Sequence, residues 1–155
     1  MATLAFRAVD DDLVVYVGGD AAPDHTEWQS YVRHAEDVAR RWRTKNRLYK
    51  FFVFVDDSAP NAAQRAAVWK AMRATHGRSA VVTSSLVARK IITAFGWLGA
   101  PMRGFSPRDL VAAAGYLELT LDRLPLVIST ARELAPRVGG VRAIADVPDE
   151  LPNAS

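Results

Sequence analysis

The 155-residue sequence contains no cysteine. The chain therefore cannot form disulfides, hold a metal ion through thiolates or use a cysteine nucleophile. Long apolar runs are also missing, because no stretch approaches the roughly 20 uncharged apolar residues that a membrane-spanning helix needs. The segment Met1–Arg7 lacks the basic region and apolar run of a secretory signal. We predict a cytoplasmic protein without a transmembrane segment.

Patterns that indicate catalysis or a bound cofactor are absent as well. The histidines His25, His34 and His76 do not stand at the spacing of metal ligands. Asp56 and Asp57 are adjacent, so on an extended strand they point to opposite faces and cannot act as a paired acid and base. No serine stands in a nucleophile elbow, and no glycine run completes a phosphate loop. We predict no catalytic residue, no metal site and no cofactor, and hence a protein that is not an enzyme.

The composition is that of a folded domain, with 50% hydrophobic and 24% charged residues. The net charge is only +3, from 20 basic and 17 acidic residues, but the basic residues are concentrated in one segment. This basic patch consists of Arg40, Arg41, Arg43, Lys45, Arg47 and Lys50. It could bind phosphates of a lipid surface or a nucleic acid, or it could be a solvated helix end. Without interleaved aromatic residues or a helix-turn-helix pattern, nucleic acid is the less favoured partner.

The first part of the chain predicts two strands, a helix and a third strand. Leu4–Val9 and Leu13–Val17 are predicted strands that an acidic turn joins into a hairpin. Thr26 is the predicted N-cap of a helix whose apolar residues recur at three-four spacing. Tyr49–Val55 is almost continuously apolar and rich in aromatic and β-branched residues. Such a run is typical of a central strand in a mostly parallel sheet.

The second part alternates helices with short strands. The predicted elements are a helix from Pro60 to about Thr75, a strand over Ser79–Val82, a helix over Leu86–Leu98, an edge strand over Pro101–Phe105 and a helix over Leu110–Leu119. In the helix over 86–98 we expect Ile91, Ile92, Phe95 and Leu98 to face the core. This order predicts an α/β domain built around one sheet.

An amphipathic helix from Asp122 to Val138 ends the predicted domain. It is either an extra layer on the core or an element through which two copies form a homodimer. After Gly139-Gly140 the chain is expected to be mobile. We therefore predict a single domain over residues 1–138 and a mobile tail over 139–155.

Three segments of the second half carry a resemblance to a known family. Ala80–Ser85, Thr93–Leu98 and Met102–Pro107 together resemble bacterial SpoIIAA-like proteins of the STAS/CRAL-TRIO type. The resemblance implies a STAS-like fold, a mixed four- or five-stranded sheet with helices mainly on one face. It extends over roughly Leu4–Leu119 and leaves the C-terminal helix outside.

The resemblance also implies a function, which is a regulatory module that binds another protein. In anti-sigma-factor antagonists, which share this fold, phosphorylation of a serine or threonine after an aspartate switches partner binding. The matching pair here is Asp57-Ser58, although Ser58 could merely cap the helix that follows. The implied contact surface comprises Asp57, Ser58, Asn61, Gln64, Arg65, Ser84 and Ser85.

The four tryptophans support an alternative function. Trp28, Trp42, Trp69 and Trp97 all lie on predicted helices, where aromatic residues usually belong to the core. They could instead line an apolar groove between helices that carries a lipid-like ligand, as in CRAL-TRIO proteins. An apolar cavity among Trp69, Phe95 and Trp97 would favour this carrier. A basic-surface binder of membrane or nucleic acid is the remaining alternative.

Overall fold

Five strands form one mixed sheet in the computed structural model, which describes residues 1–42 and 47–151. The strands are β1 (Leu4–Asp10), β2 (Leu13–Gly18), β3 (Tyr49–Val55), β4 (Gly77–Val82) and β5 (Met102–Phe105). They lie side by side in sequence order, with β1 antiparallel to β2 and the others parallel. Every residue of β3 is buried at the centre of the sheet. The predicted α/β class, the mixed sheet and the central third strand are confirmed.

Three helices connect the parallel strands. They are α1 (His25–Trp42), α2 (Ala62–Ala74) and α3 (Leu86–Trp97). Each connection steps to the next strand in the same direction, and crossovers between parallel strands are right-handed, so all three helices lie on one face of the sheet. We call this the helix face. Its apolar residues include Val14, Tyr16, Phe51 and Val53, which alternate along β2 and β3 with residues of the opposite face.

The C-terminal part of the chain covers the opposite face. It comprises α4 (Leu110–Tyr116), α5 (Leu124–Leu134), α6 (Arg142–Ala145) and two 3₁₀ turns, Leu121–Arg123 and Ala135–Val138. Their apolar side chains pack against Val15, Val17, Phe52 and Phe54 of the sheet. The apolar face of the C-terminal helix is thus used within the chain as an extra layer. Homodimerisation through this helix stays a prediction.

Residues 141–147 differ from the predicted mobile tail. Val141, Ala143, Ile144 and Val147 are all buried in the core of the opposite face. The glycines Gly139 and Gly140 have φ values of 84° and 94°, a left-handed conformation that glycine adopts without strain. They turn the chain back onto the sheet. The glycine pair is therefore a bend within the domain rather than its end.

The start of α1 also differs by two residues from the prediction. The helix begins at His25, and the side chain of Asp24 accepts a hydrogen bond from the backbone N–H of Glu27 at 3.1 Å. Asp24, rather than Thr26, therefore caps the helix.

Candidate functional site

A cavity of about 410 Å³ lies on the helix face between the sheet, α2 and α3. Its floor includes Val53 and Val55 of β3 and Val81 of β4. Aromatic and aliphatic side chains of the three helices form the walls, namely Trp28, Tyr31, Val68, Trp69, Met72, Ile91, Ile92 and Phe95. The lining is mostly apolar, with polar side chains concentrated at one end, where β3 leads into α2.

Helix α3 is the loosest wall of this cavity, because none of its residues is buried. Its inner side contributes Ile92 and Phe95, both partly exposed, and the Phe95 ring contacts Trp69 with a centroid distance of 5.5 Å. Ile91 and Leu98, which were expected to face the core, are exposed. Trp97 and Leu98 are 85% and 83% exposed. The expectation that Ile91 and Leu98 face the core is therefore wrong, whereas Ile92 and Phe95 face inward as expected.

Two glycines explain why α3 packs without burying its side chains. A side chain at Gly96 would come within 2.6 Å of the carbonyl oxygen of Met102, and one at Gly104 within 2.9 Å of the carbonyl oxygen of Arg89. The backbones of α3 and β5 therefore approach closely, and this approach seats the helix on the strand. Large apolar side chains on the other sides of α3 remain unpacked.

The corner after β3 is tied to the C-terminal part of the chain. The Asp56 carboxylate accepts hydrogen bonds from the backbone N–H groups of Arg142 and Ala143, at 2.7 and 3.0 Å. At the neighbouring corner after β4, the Ser84 hydroxyl donates to Asp146 at 2.6 Å. Asp56 and Asp146 thus hold α6 against two strand ends. Sequence reasoning missed this role, because the residues involved are far apart in the chain.

Ser58 lines the polar end of the cavity and is only 9% exposed. Its backbone N–H donates to the carbonyl oxygen of Gly19 at 3.1 Å, but its hydroxyl has no hydrogen-bond partner within the described residues. A side chain at Gly18 would come within 2.7 Å of this oxygen, so Gly18 leaves the room that Ser58 occupies. A buried hydroxyl without a partner costs about 1–3 kcal/mol. A kinase could reach it only if the corner opened, and its phosphorylation stays a prediction.

Ser58 does not cap α2. The cap is Asn61, whose side chain accepts a hydrogen bond from the Gln64 N–H at 2.8 Å, while the Gln64 side chain accepts one from the Asn61 N–H at 2.9 Å. This reciprocal pair is a capping box. The alternative interpretation of Ser58 as the helix cap is therefore wrong.

Most of the predicted contact residues have structural partners within the chain. Gln64 also accepts, through its backbone oxygen, a hydrogen bond from the Trp28 indole at 3.0 Å. Arg65 donates to the Pro60 carbonyl oxygen at 2.7 Å, and its guanidinium lies 5.1 Å from the centre of the Phe95 ring. Ser85 caps α3 by accepting from the Ala88 N–H at 3.2 Å. Asp57, by contrast, is exposed.

The basic patch does not form as one surface in the described residues. Lys50 is buried and its ammonium pairs with the Asp12 carboxylate at 2.8 Å. Burial alone would raise the pKa of Asp12, but the hydrogen bonds and charges of Lys50 and Arg123 lower it overall. The expectation that Lys50 belongs to an exposed patch is wrong, because the acidic turn before β2 lies beside it.

The other members of the basic patch lie elsewhere. Arg40 and Arg41 are exposed and both pair with Asp37, at 3.3 and 2.9 Å. Arg47 is exposed. Arg43 and Lys45 lie outside the described residues, as does the side chain of Trp42.

The two tyrosine hydroxyls in the lining of the cavity are uncharged. Burial raises the pKa of Tyr16 and of Tyr31 well above the ordinary value, so both phenols are neutral at physiological pH. His34 lies outside the cavity, where burial lowers its pKa and its ring nitrogen lies 3.4 Å from the Tyr49 hydroxyl. Along residues 1–42 and 47–151, no group of three or more acidic, histidine or cysteine side chains could hold a metal ion. In the same part of the chain, no helix is long and apolar enough to cross a membrane.

Comparison with known proteins finds no match for the chain. The chain matches no model of a protein family, and neither a curated protein nor a solved structure matches it. The resemblance to SpoIIAA-like proteins therefore stays a prediction, although the sheet and its helices are consistent with a STAS-like fold.

Proposed function

We propose that the protein binds a small apolar or lipid-like ligand in the cavity between α2 and α3. The observation that carries this proposal is the cavity itself, about 410 Å³ in volume and walled by aromatic and aliphatic side chains. Binding pockets for small molecules usually measure about 300–1,000 Å³ and are mostly apolar with few polar groups. Of the aromatic residues that were expected to surround such a cavity, Trp69 and Phe95 line it and Trp97 does not.

The looseness of α3 supports the same proposal. The cavity is half open to solvent beside α3, and a wall with few buried side chains can adjust to a ligand at low cost. Helix α3 has no buried residue, whereas α2 buries Gln64, Val68, Ala71 and Met72. Entry beside α3 is therefore the least costly route.

The test is a titration with a neutral apolar fluorophore, N-phenyl-1-naphthylamine. We expect saturable binding of one molecule per chain with quenching of tryptophan fluorescence, because Trp28 and Trp69 line the cavity. Ala88→Phe places a ring inside the cavity and should weaken binding at least tenfold. Ala94→Phe, on the same helix but outside the cavity, is the matched control and should bind as the wild type does. Absence of saturable binding, or equal losses in both variants, would overturn the proposal.

A second candidate is the regulatory module that binds another protein. Exposed apolar side chains favour it, because five of them gather on α3 and at its end: Leu86, Val87, Ile91, Trp97 and Leu98. A concentration of exposed apolar side chains on one element often marks a protein contact site. The contact would then lie on α3 rather than at Asn61 and Gln64, which the capping box occupies. The partner and the cytoplasmic location stay predictions.

A further inference from the structure

The segment from Ser58 to Arg108 contains no acidic residue. Its basic residues are Arg65, Lys70, Arg73, Arg78, Arg89, Lys90, Arg103 and Arg108. The whole chain has a net charge of only +3, so the residues outside this segment are acidic on balance. The segment forms α2, β4, α3 and β5, which are neighbours at the β5 edge of the sheet. The fold therefore concentrates positive charge on one side of the molecule.

Cations flank α3 on both of its sides. Toward α2, the Arg73 guanidinium donates a hydrogen bond to the backbone oxygen of Gly99, just after the helix, at 3.3 Å. Toward β5, an open groove contains Trp97 and one carboxylate, that of Asp109. The cations that line this groove are Arg89, Lys90 and Arg103. The ion pairs that form among the described residues involve none of these four cations, so their charges are available to a partner.

The outer side of α3 is apolar. Val87, Ile91 and Leu98 follow one another at intervals of four and seven residues, which places them on one face of the helix. All three side chains are exposed. Lys90 and Trp97 are also seven residues apart, and both line the groove. An exposed apolar face thus lies beside a cationic groove, with a tryptophan at the border.

An anionic lipid bilayer offers a contact for each part of this surface. Its headgroups attract lysine and arginine, its acyl boundary takes up aliphatic side chains, and tryptophan favours the level between them. A nucleic acid would attract the cations, but its bases stack on aromatic rings and give Val87, Ile91 and Leu98 no apolar contact. Protein surfaces usually mix both charge signs, so a segment without a carboxylate fits an extended surface of one sign better.

We propose that the α3 side of the molecule docks on anionic membranes, with the exposed apolar side chains of α3 inserted among the headgroups and the flanking cations at the lipid phosphates. This surface is distinct from the basic patch between Arg40 and Lys50. The proposal goes beyond the proposed function, because docking requires no ligand in the cavity. It also places the loosest wall of the cavity against the membrane.

Sedimentation of the full chain with vesicles tests the proposal. Vesicles of phosphatidylcholine alone are compared with vesicles of phosphatidylcholine and phosphatidylglycerol in equal parts. We expect binding to the anionic vesicles to be at least tenfold tighter. Binding should weaken steeply between about 0.1 M and about 1 M salt, since the screening length falls from about 10 Å to about 3 Å. Tryptophan emission should shift to shorter wavelength on binding, and Trp97→Phe should remove most of this shift because Trp97 is exposed.

A pair of charge-reversed variants tests the role of the cations. Lys90→Glu combined with Arg103→Glu should weaken binding to the anionic vesicles at least tenfold. The matched control is Arg132→Glu combined with Arg137→Glu, which changes the net charge equally at exposed residues on the other side of the sheet. It should bind nearly as the wild type does.

A second pair of variants tests the apolar contact. Leu98→Ser should weaken binding severalfold without changing the charge. Leu126→Ser on α5 is its matched control, because this leucine is also exposed but lies on the other side of the sheet. Circular dichroism of each variant checks that a lost affinity is not a lost fold.

The outcomes distinguish the membrane from other partners. Equal binding to both kinds of vesicle, or equal losses in both charge-reversed variants, would overturn the proposal. A loss on charge reversal without a loss for Leu98→Ser would also overturn it, and would indicate a polyanion such as a nucleic acid. Absence of vesicle binding would leave the exposed face of α3 to a protein partner. None of these results affects the fluorophore titration, which is measured without vesicles.

Discussion

Ser58 and Asn61 lie close together before α2, yet only the Asn61 side chain forms hydrogen bonds within the described residues. Asn61 forms both bonds of a capping box, and the Ser58 hydroxyl forms none within the described residues. We expect Asn61→Ala to lower the free energy of unfolding by about 1 kcal/mol, since a helix loses its cap. Ser58→Ala should leave that free energy unchanged or raise it slightly, because it removes an unpaired buried group.

Urea unfolding of the two alanine variants, followed by circular dichroism, measures both effects. A loss for Ser58→Ala as large as that for Asn61→Ala would show that the Ser58 hydroxyl has a stabilising partner in the free protein.

The capping box could have been predicted from the sequence, whereas the state of Ser58 could not. An asparagine followed three residues later by glutamine is a local signal for a helix start. The predicted start, at Pro60, is two residues too early, because proline also favours the first turn of a helix. The burial of Ser58 depends on Gly18 of β2, a residue from a distant part of the chain. No local pattern contains that information.

At the scale of elements, the sequence periodicity of α3 does not identify the face of the helix that is buried. Its bounds were predicted within one residue, and Ile92 and Phe95 face inward as expected, but Ile91 and Leu98 are exposed. Apolar residues lie on several sides of this helix, which contains no acidic residue, so the sequence offers no single inward face. Apolar residues on all sides of a helix indicate that some of them stay exposed. Gly96 and Gly104 are the positions where the backbones of α3 and β5 approach closely. Exposed apolar side chains on such a helix are candidates for contact with a ligand or a partner.

The exposed end of α3 allows a test of the protein-binding candidate. We expect Leu98→Asp to abolish capture of a protein partner from cells that naturally contain this chain, because a charge would replace an exposed apolar contact. The matched control is Leu126→Asp on α5, where the leucine is 47% exposed but lies on the other side of the sheet. Mass spectrometry of the captured proteins compares the variants. Identical capture by both variants and by the wild type would exclude α3 as the contact surface.

At the scale of the whole molecule, the segment after Gly139-Gly140 completes the core of the opposite face. Ile144 is only 5% exposed there, while Ile91 on α3 is 52% exposed. We expect Ile144→Ala to lower the free energy of unfolding by about 2–5 kcal/mol, the usual cost of truncating a buried isoleucine. The same change at Ile91 should cost far less, because its side chain is half exposed.

Chemical denaturation of both variants provides the comparison. A cost below about 0.5 kcal/mol for Ile144→Ala is what a mobile tail would give, and it would contradict the packing described for residues 141–147.

The order of strands and helices was predictable because each element has its own local period and its own end signals. The arrangement of the helices on the two faces of the sheet was harder to predict. The handedness of parallel connections places α1, α2 and α3 on one face, and the resemblance implied as much. The covering of the opposite face depends on contacts such as those between Asp56 and the start of α6, which join residues 86 and 87 positions apart.

The arrangement of strands in sequence order has a consequence for self-association. It leaves β1 and β5 at the two edges of the sheet, where backbone groups can pair with another chain. β5 is only four residues long and carries the exposed Arg103, while β1 carries Arg7, which pairs with Glu133, and has an irregular register before Asp10. Short length, charge and irregularity are features that prevent edge-to-edge growth of sheets. The same topology that gathers three helices on one face thus leaves two edges that are each protected against aggregation.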